Sequence, residues 1–435
     1  MTVSDTIFAQ ATARGRAGIA VIRLSGPESS ASVHRLFSQA VAARRPALRW
    51  LHDPETGEAL DQALVLIFPA PASFTGEEVA ELHLHGSPAV CKAIERVLEV
   101  MGLRPAEAGE FTRRALMNGR LDLAQVEGLG DLLAAETEMQ RRQALRVMEG
   151  ALSRKAETWR HEILRVLAHV EVSIDFVDDD IPEDVMEGLA VALGALCEII
   201  DAELASSRMA ERIRDGFEVA IVGAPNVGKS TLLNALAGRA VALTAAIAGT
   251  TRDVIEVRMD LGGMPVTVLD TAGLRETDGE VEAMGIALAR RRAEAADMRV
   301  ILTDPGSRDD DLGIQMQEGD LLVRGKADLA TAYDDLAVSG LTGAGVAELI
   351  DRISAALEGR AALTATITHA RQRAAIVAAR AALNSAADRL EAAESDPVLV
   401  AEDLRGALRA LDVLVGKTDV EAVLDVVFAG FCLGK

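Results

Sequence analysis

Apolar residues recur along this chain with two different spacings, which divide it into segments. In residues 1–118, short alternating runs typical of strands (20–24, 63–68 and 81–84) are mixed with helical three-and-four spacing (89–101 and 110–118). This mixture predicts an α/β or α+β domain over residues 1–118.

The spacing is helical throughout residues 119–212 and again in residues 361–435, where long stretches are rich in alanine and leucine. Between them, residues 213–360 alternate strands with helices, which predicts a largely parallel sheet covered on both faces. The simplest architecture inserts this segment into one helical domain with paired halves. An acidic break at 176–183 predicts a solvated inter-helix loop or, as the alternative, a metal-binding loop.

Residues 223–230 read Gly-Ala-Pro-Asn-Val-Gly-Lys-Ser, after an apolar run at 218–222 and before a helical pattern at 231–236. Strand, glycine-rich loop and helix in this order predict a phosphate-binding loop. Lys229 is expected to reach the β- and γ-phosphates and Ser230 to bind Mg²⁺. The predicted nucleotide contacts in this stretch are Asn226, Val227, Gly228, Lys229, Ser230 and Thr231.

Shorter motifs downstream indicate a GTPase. Asp270, Thr271, Ala272 and Gly273 follow an apolar strand and supply an aspartate for the Mg²⁺ shell and a glycine for the γ-phosphate. The switch-like stretch 249–253 contains Thr251, a second expected Mg²⁺ ligand. Further predicted contacts, on the guanine base and around it, are Lys326, Asp328, Ser339, Gly340 and Leu341.

Two positions depart from the usual GTPase pattern. Gly325 stands where the base-reading motif normally has Asn, so we expect guanine preference to survive with looser nucleotide binding. Leu274 stands where many GTPases place a water-orienting Gln. Something else must orient the attacking water and supply positive charge in the transition state. The alternatives are Glu282, the Arg275 guanidinium and a monovalent cation near Asn226.

Composition limits the other possibilities. The 435 residues carry a net charge of −22, which argues against strong binding of nucleic acid by this chain alone. Arg141, Arg142 and Arg146 form either a local basic patch or a solvated helix face. The three separated cysteines show no disulfide or metal spacing. With no run long enough to span a membrane and no signal segment, we expect a cytoplasmic protein.

Further motifs lie toward both ends of the chain. Residues 5–9 read Asp-Thr-Ile-Phe-Ala, 109–115 read Gly-Glu-Phe-Thr-Arg-Arg-Ala, and 118–125 read Asn-Gly-Arg-Leu-Asp-Leu-Ala-Gln. The chain ends at 431–435 with Phe-Cys-Leu-Gly-Lys. Together with the GTPase motifs, these stretches resemble the MnmE (TrmE) family of tRNA modification GTPases, and the ending is similar to that family's terminal signature.

The resemblance implies a multidomain α/β plus all-α fold. Its parts are an N-terminal α+β folate-binding and dimerisation domain (1–118), the first half of a helical domain (119–212), an inserted Ras-like P-loop GTPase domain (213–360) and the second helical half (361–435). It also implies a tetrahydrofolate derivative, in the 5-formyl or methylene form, held by Arg23, Glu81, Arg120 and Lys435.

The resemblance also implies a potassium ion, held by Asn226, Ala245, Ile247 and Thr250, and a water oriented by Glu282. The catalytic residues implied are Glu282, Lys229 and Cys432, although Cys432 either takes part in the chemistry or only packs. The implied nucleotide-contacting loop consists of Ala245, Ala246, Ile247, Ala248, Gly249, Thr250 and Thr251.

In function, the resemblance implies that GTP hydrolysis gates addition of a carboxymethylaminomethyl-type group to the wobble uridine of tRNAs. The implied assembly is a homodimer that joins a flavin-dependent, MnmG-like partner in a heterotetramer. The alternative is an Era-like regulatory GTPase acting in ribosome assembly, and a scaffold with a vestigial site is a third possibility. The intact Lys229, Ser230, Thr251 and Asp270 weigh against the scaffold.

Overall fold

The computed structural model describes most of the chain in two compact units, each of which is described separately below. The described residues are 5–175, 183–224, 226–239, 241–242, 255–270, 291–304, 316–329, 336–358, 365–392, 396–417, 427–428, 431 and 434. The first unit contains those within 1–130, 153–157 and 408–435, and the second those within 131–152 and 158–407. The four domain boundaries expected from the sequence stay a prediction.

A six-stranded mixed sheet forms the centre of the first unit, in the order β3-β4-β5-β2-β1-β6. All neighbours are antiparallel except β1 and β6. The strands are β1 (Ile7–Gln10), β2 (Ile19–Ser25), β3 (Ala47–His52), β4 (Ala59–Phe68), β5 (Val79–His85) and β6 (Arg104–Pro105).

One face of this sheet is buried because apolar residues alternate along the strands. Ile22, Leu82 and Val65 from three neighbouring strands pack into a single core with Ile94 and Leu98 of the helix Pro88–Val100. The opposite face carries Arg23 and Glu81, so the sheet has an apolar core on one side and charged side chains on the other.

The described parts of the C-terminal segment pack onto the same unit. A Cβ added to Gly109 would lie 2.6 Å from a ring carbon of Phe428, and Arg113 stacks 5.2 Å from the centre of that ring. A Cβ added to Gly434 would lie 2.5 Å from the Gln10 carbonyl oxygen. Gly434, with φ of +96°, therefore lies against the end of β1.

The second unit contains a six-stranded sheet in the order β12-β11-β7-β10-β9-β8. Strands β12, β11, β7 and β10 are parallel, and β9 and β8 extend the sheet in antiparallel fashion. The strands are β7 (Phe217–Gly223), β8 (Val241–Ala242), β9 (Ile255–Leu261), β10 (Met264–Asp270), β11 (Met298–Thr303) and β12 (Leu321–Arg324).

Burial on both faces explains the continuous apolar runs of the parallel strands. Every residue of β10 and β11 is buried. One face packs on the helices Lys229–Arg239 and Val346–Glu358 through residues such as Leu233 and Leu349. The parallel strands all end at the same edge, where ligand-binding residues gather in open α/β sheets.

Helices of up to 33 residues, the length of Glu183–Asp215, form the helical part of the protein. The helix Glu138–Met148 begins with a capping box, in which the Thr137 hydroxyl accepts from the Gln140 N–H and the Gln140 side chain accepts from the Thr137 N–H. The helices are Ser29–His34, Pro88–Val100, Glu110–Met117, Leu123–Ala134, Glu138–Met148, Ala151–Asp175, Glu183–Asp215, Lys229–Arg239, Val346–Glu358, Ala370–Glu391 and Pro397–Val415, with a short 3-10 turn at Ala327–Leu329 and a further helical stretch at 291–295.

This architecture confirms the predicted fold class of an α+β N-terminal part, a helical part and an inserted α/β sheet. The predicted strands and helices are present with bounds shifted by a few residues. The acidic break at 176–183 falls almost wholly outside the described residues. No helix within the ranges given above is long and apolar enough to cross a membrane.

Candidate functional site

The loop between β7 and the helix Lys229–Arg239 is shaped by backbone requirements. A Cβ on Gly223 would lie 2.2 Å from the Leu302 carbonyl oxygen of β11, so no side chain fits there. Gly228 has φ of +106° and Asn226 has φ of +63°, both in the left-handed region. The chain therefore turns tightly and enters the helix N-terminus, where backbone N–H groups and the helix dipole favour an anion.

Lys229 lies inside this loop. Its ammonium donates to the carbonyl oxygens of Gly223 at 2.8 Å and Ala224 at 3.0 Å. An ammonium carries three N–H donors, which leaves one for a phosphate oxygen. Burial lowers the pKa of Lys229, an effect that the nearby charge of Asp270 partly opposes.

Ser230 and Asp270 meet at the ends of two adjacent parallel strands. Asp270, the last residue of β10, is paired in register with Ile221 of β7, and its side chain is buried. The Ser230 hydroxyl donates to Asp270 Oδ2 at 2.7 Å. A hydroxyl and a carboxylate at this spacing are the hard oxygen donors that suit Mg²⁺. The predicted pairing of these two residues in one metal shell is therefore compatible with the geometry.

The residues predicted to read the base come from two loops of the second unit. The buried Ser339 donates from its hydroxyl to Asp328 Oδ1 at 2.5 Å. A Cβ on Gly340 would lie 2.6 Å from the Thr231 carbonyl carbon, so this loop lies directly on the first turn of the phosphate-loop helix. Leu341 is 80% exposed and free to cover a base.

The structure places Gly325 between the phosphate loop and the end of β11. Its N–H donates to the Thr303 carbonyl at 2.8 Å, and a Cβ there would lie 3.0 Å from the Val227 carbonyl oxygen. Lys326, with φ of +55°, forms an ion pair with Asp304 at 2.7 Å. The glycine thus keeps the backbone path of the motif but supplies no side-chain amide to brace it.

Several predicted site residues lie outside the described residues. They are Ala245, Ala246, Ile247, Ala248, Gly249, Thr250, Thr251, Thr271, Ala272, Gly273, Glu282, Cys432 and Lys435. Their roles stay predictions. The described members of the predicted nucleotide site, on four different segments, are brought to one edge of the second unit's sheet.

A second candidate site lies on the polar face of the first unit's sheet. Arg23 and Glu81 are direct cross-strand partners of β2 and β5, and the Arg23 guanidinium contacts Glu81 Oε1 at 2.9 Å. Glu81 also meets the His83 ring at 3.3 Å. The Arg23 guanidinium lies 5.5 Å from the centre of the Phe74 ring and 6.0 Å from that of Phe111. Charged donors and acceptors beside two aromatic rings suit a planar, polar heterocycle.

Arg114, which the sequence analysis did not single out, fixes the loop at this site. It is 3% exposed and bonds to Glu77 at 3.1 Å, to Asp5 at 2.9 Å and to Glu110 at 3.0 Å. Burial alone would lower the pKa of Arg114, but hydrogen bonds with Glu110 and Glu77 raise it overall. The sequence signal that could have pointed to Arg114 is the Arg-Arg pair at 113–114, within the motif quoted at 109–115.

The loop held by Arg114 connects the remaining predicted residues of this site. A Cβ on Gly76 would lie 3.1 Å from Arg120 Cγ, so the Arg120 stem lies along the same loop as Phe74. The Asn118 amide donates to the Thr75 carbonyl at 2.7 Å. Arg23, Glu81 and Arg120 are thus gathered around residues 73–77.

The arginines of the helix Glu138–Met148 and two of the cysteines are explained by local ion pairs and by burial. Arg141 and Arg142 both pair with Glu138 at 2.7 Å, which lowers the pKa of that carboxyl to about 2. Because both guanidinium groups are engaged by this exposed carboxylate, the contacts support the solvated-face interpretation over a phosphate-binding patch. Cys91 and Cys197 are buried free thiols, and burial raises the pKa of each, so neither is a reactive thiolate.

Comparisons with known proteins agree across nearly the full length. The sequence profile of the MnmE helical domain matches residues 123–432, and that of the GTP-binding protein TrmE N-terminus matches residues 6–120. The tRNA modification GTPase MnmE of Cereibacter sphaeroides is 55% identical over 432 residues, 99% of this chain and 100% of the relative. That of Dinoroseobacter shibae is 51% identical over 433 residues, with the same coverage of each chain.

Two solved structures are also similar to part of the chain. The FeoB G-domain of Methanococcus jannaschii is 26% identical, covering 33% of this chain and 97% of that chain with a TM-score of 0.25. Aquifex aeolicus Era Y63A bound to GDP and AlF₄⁻ is 24% identical, covering 41% and 69% with a TM-score of 0.26. The full-length relatives and family profiles decide the assignment and confirm the family and the GTPase class predicted from the sequence: the chain belongs to the MnmE family of tRNA modification GTPases.

Proposed function

We propose that this chain binds GTP with Mg²⁺ at the sheet edge of the second unit and uses its hydrolysis to drive modification of tRNA. The hydrogen bond between Ser230 and Asp270, 2.7 Å long and next to the buried Lys229, carries this proposal. The two oxygens would hold a Mg²⁺ ion, which when bound neutralises charge on the β- and γ-phosphates. Lys229 would bind the same phosphates, and Asp328 would accept from the guanine N1–H and 2-amino group.

Potassium is proposed as the further source of positive charge. Asn226, held at φ of +63° within the phosphate loop, would supply one ligand, and Ala245, Ile247 and Thr250 would supply the others. Glu282 would orient the attacking water in place of the missing Gln. Potassium should then accelerate GTP hydrolysis well beyond sodium, and equal rates in the two salts would remove the ion from the mechanism.

The polar face of the first unit is proposed to hold a tetrahydrofolate derivative. The Arg23–Glu81 pair and the Phe74 ring are a donor set suited to a pterin and its carboxylate tail. Lys435 is proposed as a further contact, since Gly434 lies against Gln10 and the neighbouring Ala9 is in register with Arg23. This folate would supply the one-carbon unit.

We also propose that two copies pair through this face. Ile19, Leu48 and Trp50 on it are 61%, 57% and 56% exposed, an apolar surface continuous with the Arg23–Glu81 pair. A second copy would cover it and complete the folate site. The chain's charge of −22 further suggests that a flavin-dependent, MnmG-like partner holds most of the tRNA. The proposed location is the cytoplasm, and Cys432 is proposed to act near the modified base.

Mass spectrometry of nucleosides from bulk tRNA tests the whole proposal. Cells lacking this gene should lose one wobble uridine derivative, and the wild-type gene should restore it. A gene encoding Lys229→Ala should not restore it, because the phosphate contact is gone. Unchanged nucleosides with a defect in ribosome assembly would instead support the Era-like alternative.

A further inference from the structure

The GTPase segment is joined to the helical part by two chain crossings that lie side by side. The incoming chain leaves the helix Glu183–Asp215 and enters β7, and the outgoing chain runs through residues 365–369 into the helix Ala370–Glu391. Glu203 on the incoming helix accepts from the N–H of Thr366 at 3.0 Å and from its hydroxyl. We call these paired crossings, residues 203–216 and 365–373, the neck.

The Asp131 carboxylate contacts both chains of the neck. Its Oδ1 accepts from Arg214 Nε of the incoming chain at 3.0 Å. Its Oδ2 lies 3.0 Å from His369 Nε2 of the outgoing chain. Arg214 closes the triangle by donating to the Thr368 carbonyl at 3.3 Å. The Asp131 side chain is 15% exposed, so this cluster is largely shielded from solvent.

The helix Glu138–Met148, a few residues after Asp131, is bonded to the same neck. The Gln140 amide donates to the Arg214 carbonyl at 2.9 Å, and its oxygen caps the helix. Gln143 donates to the Ala210 carbonyl at 3.1 Å. These are part-buried or buried hydrogen bonds from neutral amides to backbone carbonyls, which stabilise a contact more than exposed ion pairs do.

The same helix also touches the GTPase sheet directly. The Met139 N–H donates to the Gly263 carbonyl at 3.1 Å, in the turn between β9 and β10. In sequence, β9 follows the switch-like stretch 249–253, and β10 ends at Asp270 in the nucleotide site. A displacement of either nucleotide-contacting segment along this hairpin would therefore reach the helix Glu138–Met148.

The junction leaves room for such a displacement. A cavity of about 260 Å³ separates the two sides. The helical side contributes Asp131 and Gln140, and the sheet contributes Arg258 and Thr267. Because close-packed interfaces resist displacement and incompletely filled ones do so less, the hairpin and the helix that it contacts through Gly263 can be displaced together at this junction while Asp131 keeps the two chains of the neck paired.

We propose that Asp131 is a positioning residue that couples the nucleotide site to the helical part of the protein. By holding both chains of the neck fixed to the segment that leads into the helix Glu138–Met148, it turns movement of the β9–β10 hairpin into movement of that helix. Without the contacts of Asp131 with Arg214 and His369, the GTPase segment would rotate as a whole about the neck. The inference rests on the proposed GTP-driven function.

Hydrogen exchange measured by mass spectrometry on the full-length protein, loaded with GDP or with a non-hydrolysable GTP analogue, tests this role. The variant is Asp131→Asn, which keeps the side-chain volume but removes the charge and turns one acceptor into a donor. The matched control is Asp201→Asn. Asp201 pairs with Arg380 at 2.9 Å and joins the same two helices away from the neck.

In the wild type and in Asp201→Asn, the two nucleotides should give different exchange both in residues 217–239 and in residues 138–148. In Asp131→Asn, the difference in residues 217–239 should persist, while that in residues 138–148 should fall at least about threefold. GTP hydrolysis should stay within about twofold of wild type, while tRNA modified per GTP hydrolysed falls.

Retention of the helix response in Asp131→Asn would overturn the coupling role, as would an equal loss in Asp201→Asn. The double variant with Asp131→Asn and Arg214→Gln should lose little more of the exchange difference in residues 138–148 than Asp131→Asn alone, if both residues act through one contact. Full additivity of the two losses would contradict that shared contact. Absence of any nucleotide response in wild-type residues 217–239 would instead overturn the proposed GTP site, and the coupling with it.

Discussion

Ser339 Oγ lies 2.5 Å from Asp328 Oδ1 and holds this carboxylate, which we propose reads the base, in one orientation. The serine is fully buried, and its backbone is fixed by hydrogen bonds to Ala344 and Gly343. Gly340, the next residue, touches the phosphate-loop helix at Thr231. The residues proposed to recognise the base and the phosphates therefore belong to one continuous set of contacts.

Asp328→Asn should exchange guanine specificity for xanthine specificity. An Asn side chain keeps one acceptor but presents a donor where guanine's amino group also donates, whereas xanthine offers a carbonyl there. We expect GTP affinity to fall at least about 100-fold, or about 2.7 kcal/mol, and XTP affinity to rise. Binding of fluorescent nucleotides measures both. Ser339→Ala should cost only about tenfold with no change of preference, and an XTP preference in that variant would contradict the assigned roles.

Ser230→Ala should uncouple nucleotide binding from magnesium. The change removes one oxygen of the proposed Mg²⁺ shell and a hydrogen bond to the buried Asp270. We expect the magnesium-dependent part of GTP affinity to fall at least about tenfold, and the free energy of unfolding of the nucleotide-free protein to drop by about 1 kcal/mol. Titration calorimetry with and without Mg²⁺ measures the first effect. Ser230→Thr retains the hydroxyl and should preserve binding, and failure of both variants alike would indicate a steric cause.

The phosphate loop could be predicted from sequence because its geometry is local. Residues 223–230 are contiguous, and each glycine and the lysine has its role within that stretch. Asp328 and Ser339 could each be assigned to the predicted base site from two short motifs in the right order, although the hydrogen bond between them was not predicted. These motifs are recognisable because the nucleotide imposes the same demands on every member of the GTPase class.

Other features depend on residues that are distant in sequence and carry no local signal. Arg114 is held by Asp5, which is 109 positions away, and Asp131 is held by Arg214 and His369, 83 and 238 positions away. A charged residue on a helix looks solvated until its partners are known. Strand β3, with Trp50 on its open face, was missed because it lies at the edge of the sheet, where one exposed side weakens the apolar pattern.

Gly325→Asn should tighten nucleotide binding severalfold, whereas Gly325→Ala should not. Any Cβ at this position lies 3.0 Å from the Val227 carbonyl oxygen, so both variants carry the same crowding cost. Only Asn adds an amide able to brace the base-reading loop against the phosphate loop, a hydrogen bond of about 1 kcal/mol. Dissociation rates of fluorescent GDP compare the pair. Equal rates in the two variants would show that the missing amide does not explain loose binding.

Lys229→Met should abolish nucleotide binding but stabilise the nucleotide-free protein near neutral pH. Because burial lowers the pKa of Lys229 from 10.5, the unfolded chain binds more protons than the folded one in the range just below that value. This group therefore destabilises the folded state at pH 7, and the penalty disappears as pH rises toward 10.5. The unfolding temperature of Lys229→Met should exceed that of wild type at pH 7, with a smaller gap near pH 10. A gap that widens with pH would contradict the sign.

Glu81→Gln and Arg23→Gln should each weaken binding of tetrahydrofolate in calorimetry by at least about tenfold, or about 1.4 kcal/mol. The two side chains form one ion pair beside Phe74, so loss of either leaves the other misoriented toward the ligand. The double variant should be little worse than the single ones, since neighbouring residues that share one interaction are not additive. His85→Ala is the control: His85, the last residue of β5, pairs with Asp61 at 2.7 Å, and its loss should change affinity by less than about twofold. Equal losses in all three single variants would point to general damage of the sheet, and unchanged affinity in Glu81→Gln would move the folate site away from this face.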